Sequence, residues 1–154
     1  MNSSNKTKPK ATSGTASATV NDDEDFNSFE GTRFYFYLDE KTNRWYISGT
    51  SEEDHLGQYQ YISLWLPNEG DVVKKTYAIV DDHGAQGKAN ASWTKATSSS
   101  FRPYTAISGS VTVTLNSNLQ TVESTFEFAA QSGSKTVSLT QGEMKLQGFT
   151  EDEK

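Results

Sequence analysis

Cysteine is absent from this chain of 154 residues. That excludes disulfides, thiolate nucleophiles and cysteine-ligated zinc. It leaves the redox compartment open, because a secreted protein need not carry disulfides. Basic residues are the minority, 14 Lys and Arg against 20 Asp and Glu, for a net charge of −6. A nucleic-acid-binding domain normally shows a basic footprint, and adsorption on an anionic membrane needs basic clusters, so neither partner is expected. No apolar run approaches the ~20 residues of a membrane-spanning helix, so direct membrane insertion is not expected either. Residues 1–18 lack the apolar segment of a signal peptide, which suits a cytosolic chain or one that starts after a removed leader. Helical periodicity is missing as well: nowhere do apolar residues recur with a 3.6-residue period over several turns.

Large apolar residues are few. Leu, Ile, Val and Phe number 28 in 154, about 18%, below the ~20% at which disorder becomes a concern for a charged chain. None of the 28 precedes Val20. Residues 1–18 are mostly Asn, Ser, Lys, Thr, Ala and Gly and offer little surface to offset the entropy of ordering. They are expected to form a disordered tail or tether, with an expression scar as the plainer reading. One β-domain is expected over residues 19–149 and a charged C-terminal end over 150–154.

What is present is alternation. Tyr59 to Leu66 is the longest strongly apolar and aromatic run, preceded by Gly57 and stopped by Pro67. Side chains alternate along a strand, so Ile62, Leu64 and Leu66 share one face and Tyr59, Tyr61 and Trp65 the other. The same pattern recurs in Arg33 to Leu38, with Phe34, Phe36 and Leu38 opposed to Tyr35 and Tyr37. Residues 39–43 are a polar turn of hairpin length, after which Trp45 and Ile47 share a side. Further strands are expected near Ala18 to Asn21, Thr76 to Val80, around Trp93, Ile107 to Leu115, Val122 to Ala130 and Thr136 to Leu146. Gly142 is a candidate bulge. Short strands with turn chemistry between them indicate an all-β fold: an antiparallel β-sandwich of about eight or nine strands, or alternatively a closed lipocalin-like barrel.

The chain resembles small uncharacterised β-sandwich lipoproteins of the bacterial cell envelope. The resemblance is carried by Ala18 to Asn21, Trp45 to Thr50, Ile62 to Pro67 with Thr76-Tyr77, Ser108 to Val113, Ser124 to Phe128 and Val137 to Gly142. It implies a β-sandwich at the cell envelope or outside the cell, and no known activity. The lipid-bearing cysteine of such proteins is missing, and Lys75 stands where glycine is expected. If Met1 stands in place of the lipidated cysteine, residues 2–18 become a spacer.

Candidate chemistry is sparse. A nucleophilic serine needs a base that is itself oriented; only His55 and His83 are available, and there is no Gly-x-Ser-x-Gly elbow. The clusters Glu52 to His55 and Asp81 to His83 lack calcium-loop spacing and read, like Asp22 to Asp25, as solvated acidic turns. Asn90-Ala91-Ser92 fits a glycosylation acceptor, which a bacterial protein would not use. Glu123 and Glu127 lie about 13 Å apart at strand rise, too far for a glycosidase pair. No enzyme activity, cofactor or metal is expected. The set with functional weight is aromatic: Tyr35, Tyr37, Trp45, Tyr59, Tyr61 and Trp65. Rows of Tyr and Trp on a sheet can stack on sugar rings or anchor a protein interface; they can equally be cross-strand pairs that stiffen the sheet. The expected role is a surface-displayed binding or structural module for a glycan or another protein, monomeric. The alternative is a carrier of a small apolar ligand in a barrel interior.

Overall fold

The structure, a computed structural model, describes residues 11–151. Ten strands form: β1 (Ser13–Asn21), β2 (Ser28–Gly31), β3 (Arg33–Asp39), β4 (Arg44–Thr50), β5 (Tyr59–Pro67), β6 (Val72–Ile79), β7 (Asn90–Ala96), β8 (Phe101–Asn116), β9 (Thr121–Ser132) and β10 (Lys135–Gln147). They belong to one antiparallel sheet in the order β2-β1-β10-β9-β8-β7-β5-β4-β3, with β6 pairing β8 beside this path. A bridge between Thr12 and Phe34 brings the two ends of the sheet together. The all-β expectation holds. The single curled sheet, almost closed, corresponds to the barrel alternative rather than to two stacked sheets.

Curling requires strands that bend, and bulges supply the bends. In β8 one extra residue sits at Ile107 against β9. The buried face switches there from Tyr104 and Ala106 to Val111, Val113 and Leu115. Gly109, next to this bend, has φ +144, and a Cβ on it would lie 2.2 Å from the Glu127 carbonyl oxygen. In β10 the extra residue falls between Leu139 and Gly142. The inward set changes from Val137 and Leu139 to Met144 and Leu146. A Cβ on Gly142 would lie 2.3 Å from the Phe126 ring, so the bulge expected at Gly142 is where the strand bends.

The interior is filled by side chains. Phe36, Ile47, Ile62, Leu64, Trp93, Tyr104, Val111, Leu139 and Met144 are each at most 1% exposed. Residues 22–27, between β1 and β2, close one end. Phe26 meets Trp93 edge-on at 6.3 Å. Lys95, buried at this end, donates to Asp23 Oδ1 at 2.8 Å and Asp25 Oδ2 at 2.7 Å, and Asp23 also accepts from the backbone N–H groups of Asp25 and Phe26. The acidic run Asp22 to Asp25 is thus not simply a solvated turn: the Asp23 side chain is 3% exposed and ion-paired. Its partner Lys95 is far away in the sequence, so the pairing had no local signal.

The expected boundaries also need correction. Over residues 12–18 the expected disordered tail is instead ordered. Thr12 donates to the Gly148 carbonyl at 2.6 Å, Ser13 starts β1, and Ala16 and Ala18 are in the core. The strand expected over Ala18 to Asn21 therefore begins five residues earlier, where small and polar side chains carry no large-apolar signal. At the other end, Thr150 N–H donates to Phe36 O at 2.8 Å, and Thr150 Oγ1 accepts from Phe36 N–H at 3.0 Å; Thr150 therefore belongs to the barrel rather than to a charged end. Residues 1–10 of the expected tail and 152–154 of the expected charged end lie outside the described residues.

Leu64→Ala is expected to cost about 2–5 kcal/mol, as for a buried leucine, and Gly109→Ala more than the ~1–3 kcal/mol of backbone strain, because the added Cβ also meets the Glu127 carbonyl. Urea unfolding checks both.

The alkaline limit of stability follows from two buried groups. Burial alone would lower the Lys95 pKa, but the hydrogen bonds to Asp23 and then Asp25 outweigh it and raise the pKa above the usual lysine value. Tyr77 is pushed up to about 12, first by burial and then by its hydrogen bond to Glu69. Both folded-state values exceed the unfolded ones, so both contributions are complete below the unfolded values of about 10 and 10.4. They are lost as pH rises through the folded values. The melting temperature is expected to fall above about pH 10, and Tyr77→Phe should make that fall shallower in a calorimetric pH series.

Candidate functional site

The outer face of β3, β4, β5 and β7 carries rows that the strand register lines up. Tyr37 lies opposite Tyr46, Tyr46 opposite Trp65, and Trp65 opposite Asn90. The rings are in contact in sequence: 5.3 Å from Tyr37 to Tyr46, 5.4 Å from Tyr46 to Trp65, and 5.4 Å from Trp65 to His83. These spacings approach the strand separation of about 4.8 Å, as expected for one ring per strand. In the next row Tyr35, 48% exposed, lies opposite Ser48, followed by Ser63 and Ser92. Tyr46 Oη is 2.8 Å from Ser63 Oγ. A third row holds Thr50, Tyr61 and Thr94, and Tyr61 meets the exposed Phe101 at 6.4 Å. Ser48 and Ser63, although outward-facing, are buried, each 2% exposed.

The Trp65 row runs into a cleft of about 700 Å³. Its walls come from the β3–β4 turn, the β5–β6 connection and residues 80–89 between β6 and β7. Thr42, Asn43, Asn68, Gln86 and Lys88 line it, with Trp65 and His83 on the aromatic side. Arg44 forms its base. By alternation Arg44 shares the outward face with Tyr46, yet it is only 9% exposed, because residues 80–89 fold over it. Its Nη1 donates to His83 O at 3.2 Å and to Asn90 Oδ1; its Nη2 donates to Lys88 O at 2.8 Å and Trp65 O at 3.3 Å. Asn90 in turn donates to Val80 O at 2.7 Å and Asp82 O at 3.3 Å. One guanidinium and one amide thus tie the 80–89 segment to β4, β5 and β7. Burial lowers the Arg44 pKa from its ordinary value.

Of the aromatic set named from the sequence, Tyr35, Tyr37, Tyr59, Tyr61 and Trp65 are on the outer face. Tyr35 and Tyr37 are exposed and the other three half-buried. Trp45 is not with them. It points inward, 7% exposed, packed at 5.6 Å on Phe36 and 5.4 Å on Phe149, and alternation with Ile47 already required this. Sequence reasoning missed Tyr46 and Phe101, and it named His83 as a candidate base and cluster residue rather than as a member of the aromatic line. Tyr46 had a signal: closing the 39–43 turn as a hairpin sets Tyr37 opposite it. The place of His83 depends on the fold of residues 80–89, and Arg44 and Asn90 carried no signal of burial.

The acidic clusters serve turns. Asp54 Oδ1 accepts from Leu56 N–H and Gln58 N–H, the bond from Gln58 being the main cause of its lowered pKa. Asp82 Oδ1 accepts from Gly84 N–H at 2.8 Å. Among the described residues no three His, Asp or Glu side chains come together as a metal-holding group. Asn90 of the glycosylation-like triplet is 1% exposed.

The chain matches no family model, no curated protein and no solved structure.

Arg44→Lys is expected to leave buried acceptors without donors, at a cost of about 1–3 kcal/mol for each one stranded. Amide exchange should speed up over residues 80–90 before it does in β8 to β10, and mass-spectrometric exchange mapping reads the difference.

Proposed function

We propose that the chain is a non-enzymatic binding module, displayed at the bacterial cell envelope, that receives a glycan along its outer aromatic rows. The observation that carries the reading is the continuous line of rings Tyr37, Tyr46, Trp65 and His83 on an outward barrel face. The outer face of a half-buried strand is ordinarily polar, and rings placed there offer apolar area with little conformational entropy to lose on binding. The surroundings favour a sugar over a flat protein partner. The amides of Asn43, Asn68 and Gln86 line the cleft that adjoins the rings. A hydroxylated ring can use both, stacking its C–H face while its edge exchanges hydrogen bonds. The envelope location rests on the resemblance described from the sequence. Carriage of an apolar ligand inside the barrel has less to rest on, since Phe36, Ile47, Trp93 and Leu139 occupy that space.

On a glycan array, Trp65→Ala combined with Tyr46→Ala is expected to abolish the binding seen with the parent chain, while the fold survives with a loss of about 1–2 kcal/mol for partly exposed cross-strand pairs. A parent chain that binds no glycan overturns the proposal. A double variant destabilised as much as Leu64→Ala makes these rings part of the core.

A further inference from the structure

The cleft at the end of the aromatic row differs in charge from the rest of the chain. The chain as a whole is at −6, yet the cleft is lined by two cations, Arg44 and Lys88, with His83 beside them. Its one carboxylate, Glu69, accepts from Lys75 Nζ and from Tyr77 Oη at 2.9 Å. That carboxylate is therefore already neutralised by a lysine outside the lining. Asp81 and Asp82 belong to the same 80–89 segment but not to the lining, and Asp82 Oδ1 is held by Gly84 N–H.

Arg44 is the less ordinary of the two cations. Its four terminal N–H bonds go to three backbone carbonyls and one amide oxygen, all neutral. Among the described residues it has no carboxylate partner. A buried cation of a folded protein usually has one, because desolvation otherwise goes uncompensated. With its terminal donors occupied, Arg44 acts as a fixed positive charge at the base of the cleft rather than as a direct ligand. Lys88 supplies the free donor. It is exposed, it forms no ion pair among the described residues, and its carbonyl is fixed by Arg44 while its side chain is left to the rim.

We infer that the cleft is an anion subsite, and that the glycan proposed above is acidic, carrying a carboxylate or sulfate that Lys88 engages over the Arg44 charge while the neighbouring ring stacks at Trp65. The inference rests on the glycan reading, and its test separates the two.

The probes are an oligogalacturonide tetramer, its carboxyl-reduced neutral counterpart, and a sulfated form of the latter, titrated against the full chain by calorimetry alongside the glycan array. The carboxylated tetramer is expected to bind about tenfold more tightly than the neutral one, a gain in the range of one charge-assisted hydrogen bond. Lys88→Glu should abolish that gain, so that charged and neutral tetramers bind equally, and preserve the melting temperature, since the Lys88 side chain is exposed. Added salt should reduce the gain, because rim charges are screened. An equal gain with the sulfated tetramer supports a subsite that reads charge; a gain with the carboxylate alone supports one that also reads planar geometry. Equal binding of charged and neutral tetramers overturns the anion subsite and leaves the glycan reading standing. A charge preference that survives Lys88→Glu also overturns it, by placing the recognised charge elsewhere. No binding of any array glycan overturns both.

Discussion

The outer edge of β3 is the constraint on which the barrel depends. An edge strand presents N–H and C=O groups that must be paired or covered. Here Thr12 bridges Phe34, and Thr150 both donates to and accepts from the Phe36 backbone. Thr12 and Thr150 also share a hydroxyl–hydroxyl hydrogen bond. Two threonines from opposite ends of the chain thus cover the edge that the sheet order leaves open, and the sheet can curl around one filled core. The bends at Gly109 and Gly142 serve the same end, since a flat sheet of this many strands could not bring its first and last members together.

The two buried cations answer the same cost in different ways. Lys95, at one end of the barrel, is matched by Asp23 and Asp25, which draw residues 22–27 over the opening. Arg44, on the outer face at the cleft, is matched by neutral oxygens, which draw residues 80–89 over it. The first arrangement leaves the cation surrounded by carboxylates. The second leaves a positive charge beside a cleft and next to a line of aromatic rings. That difference in compensation is why we propose the cleft over Arg44, and not the end closed over Lys95, as the place for a ligand.

The sequence alone determined that the chain is all-β, where most strands run, and that β3 and β5 carry an aromatic face opposite an apolar one. Those features follow from the two-residue period of a strand, which is local and needs no partner to be visible. Gly142 could be named as a bend because a missing side chain is also a local fact. Tertiary structure decided what depends on distant residues. Closure used Thr12 and Thr150, which carry little apolar signal. Ala16 and Ala18 are in the core, Ala16 where Gly31 and Gly49 of other strands stand against it. The single curled sheet, the pairing of Lys95 with Asp23, the packing of Phe149 on Trp45, and the burial of Arg44 beneath residues 80–89 all join segments far apart in the chain. Periodicity shows which residues share a face of one strand; only the register between strands decides which faces meet, what covers them, and which charges are left to find their partners outside the fold.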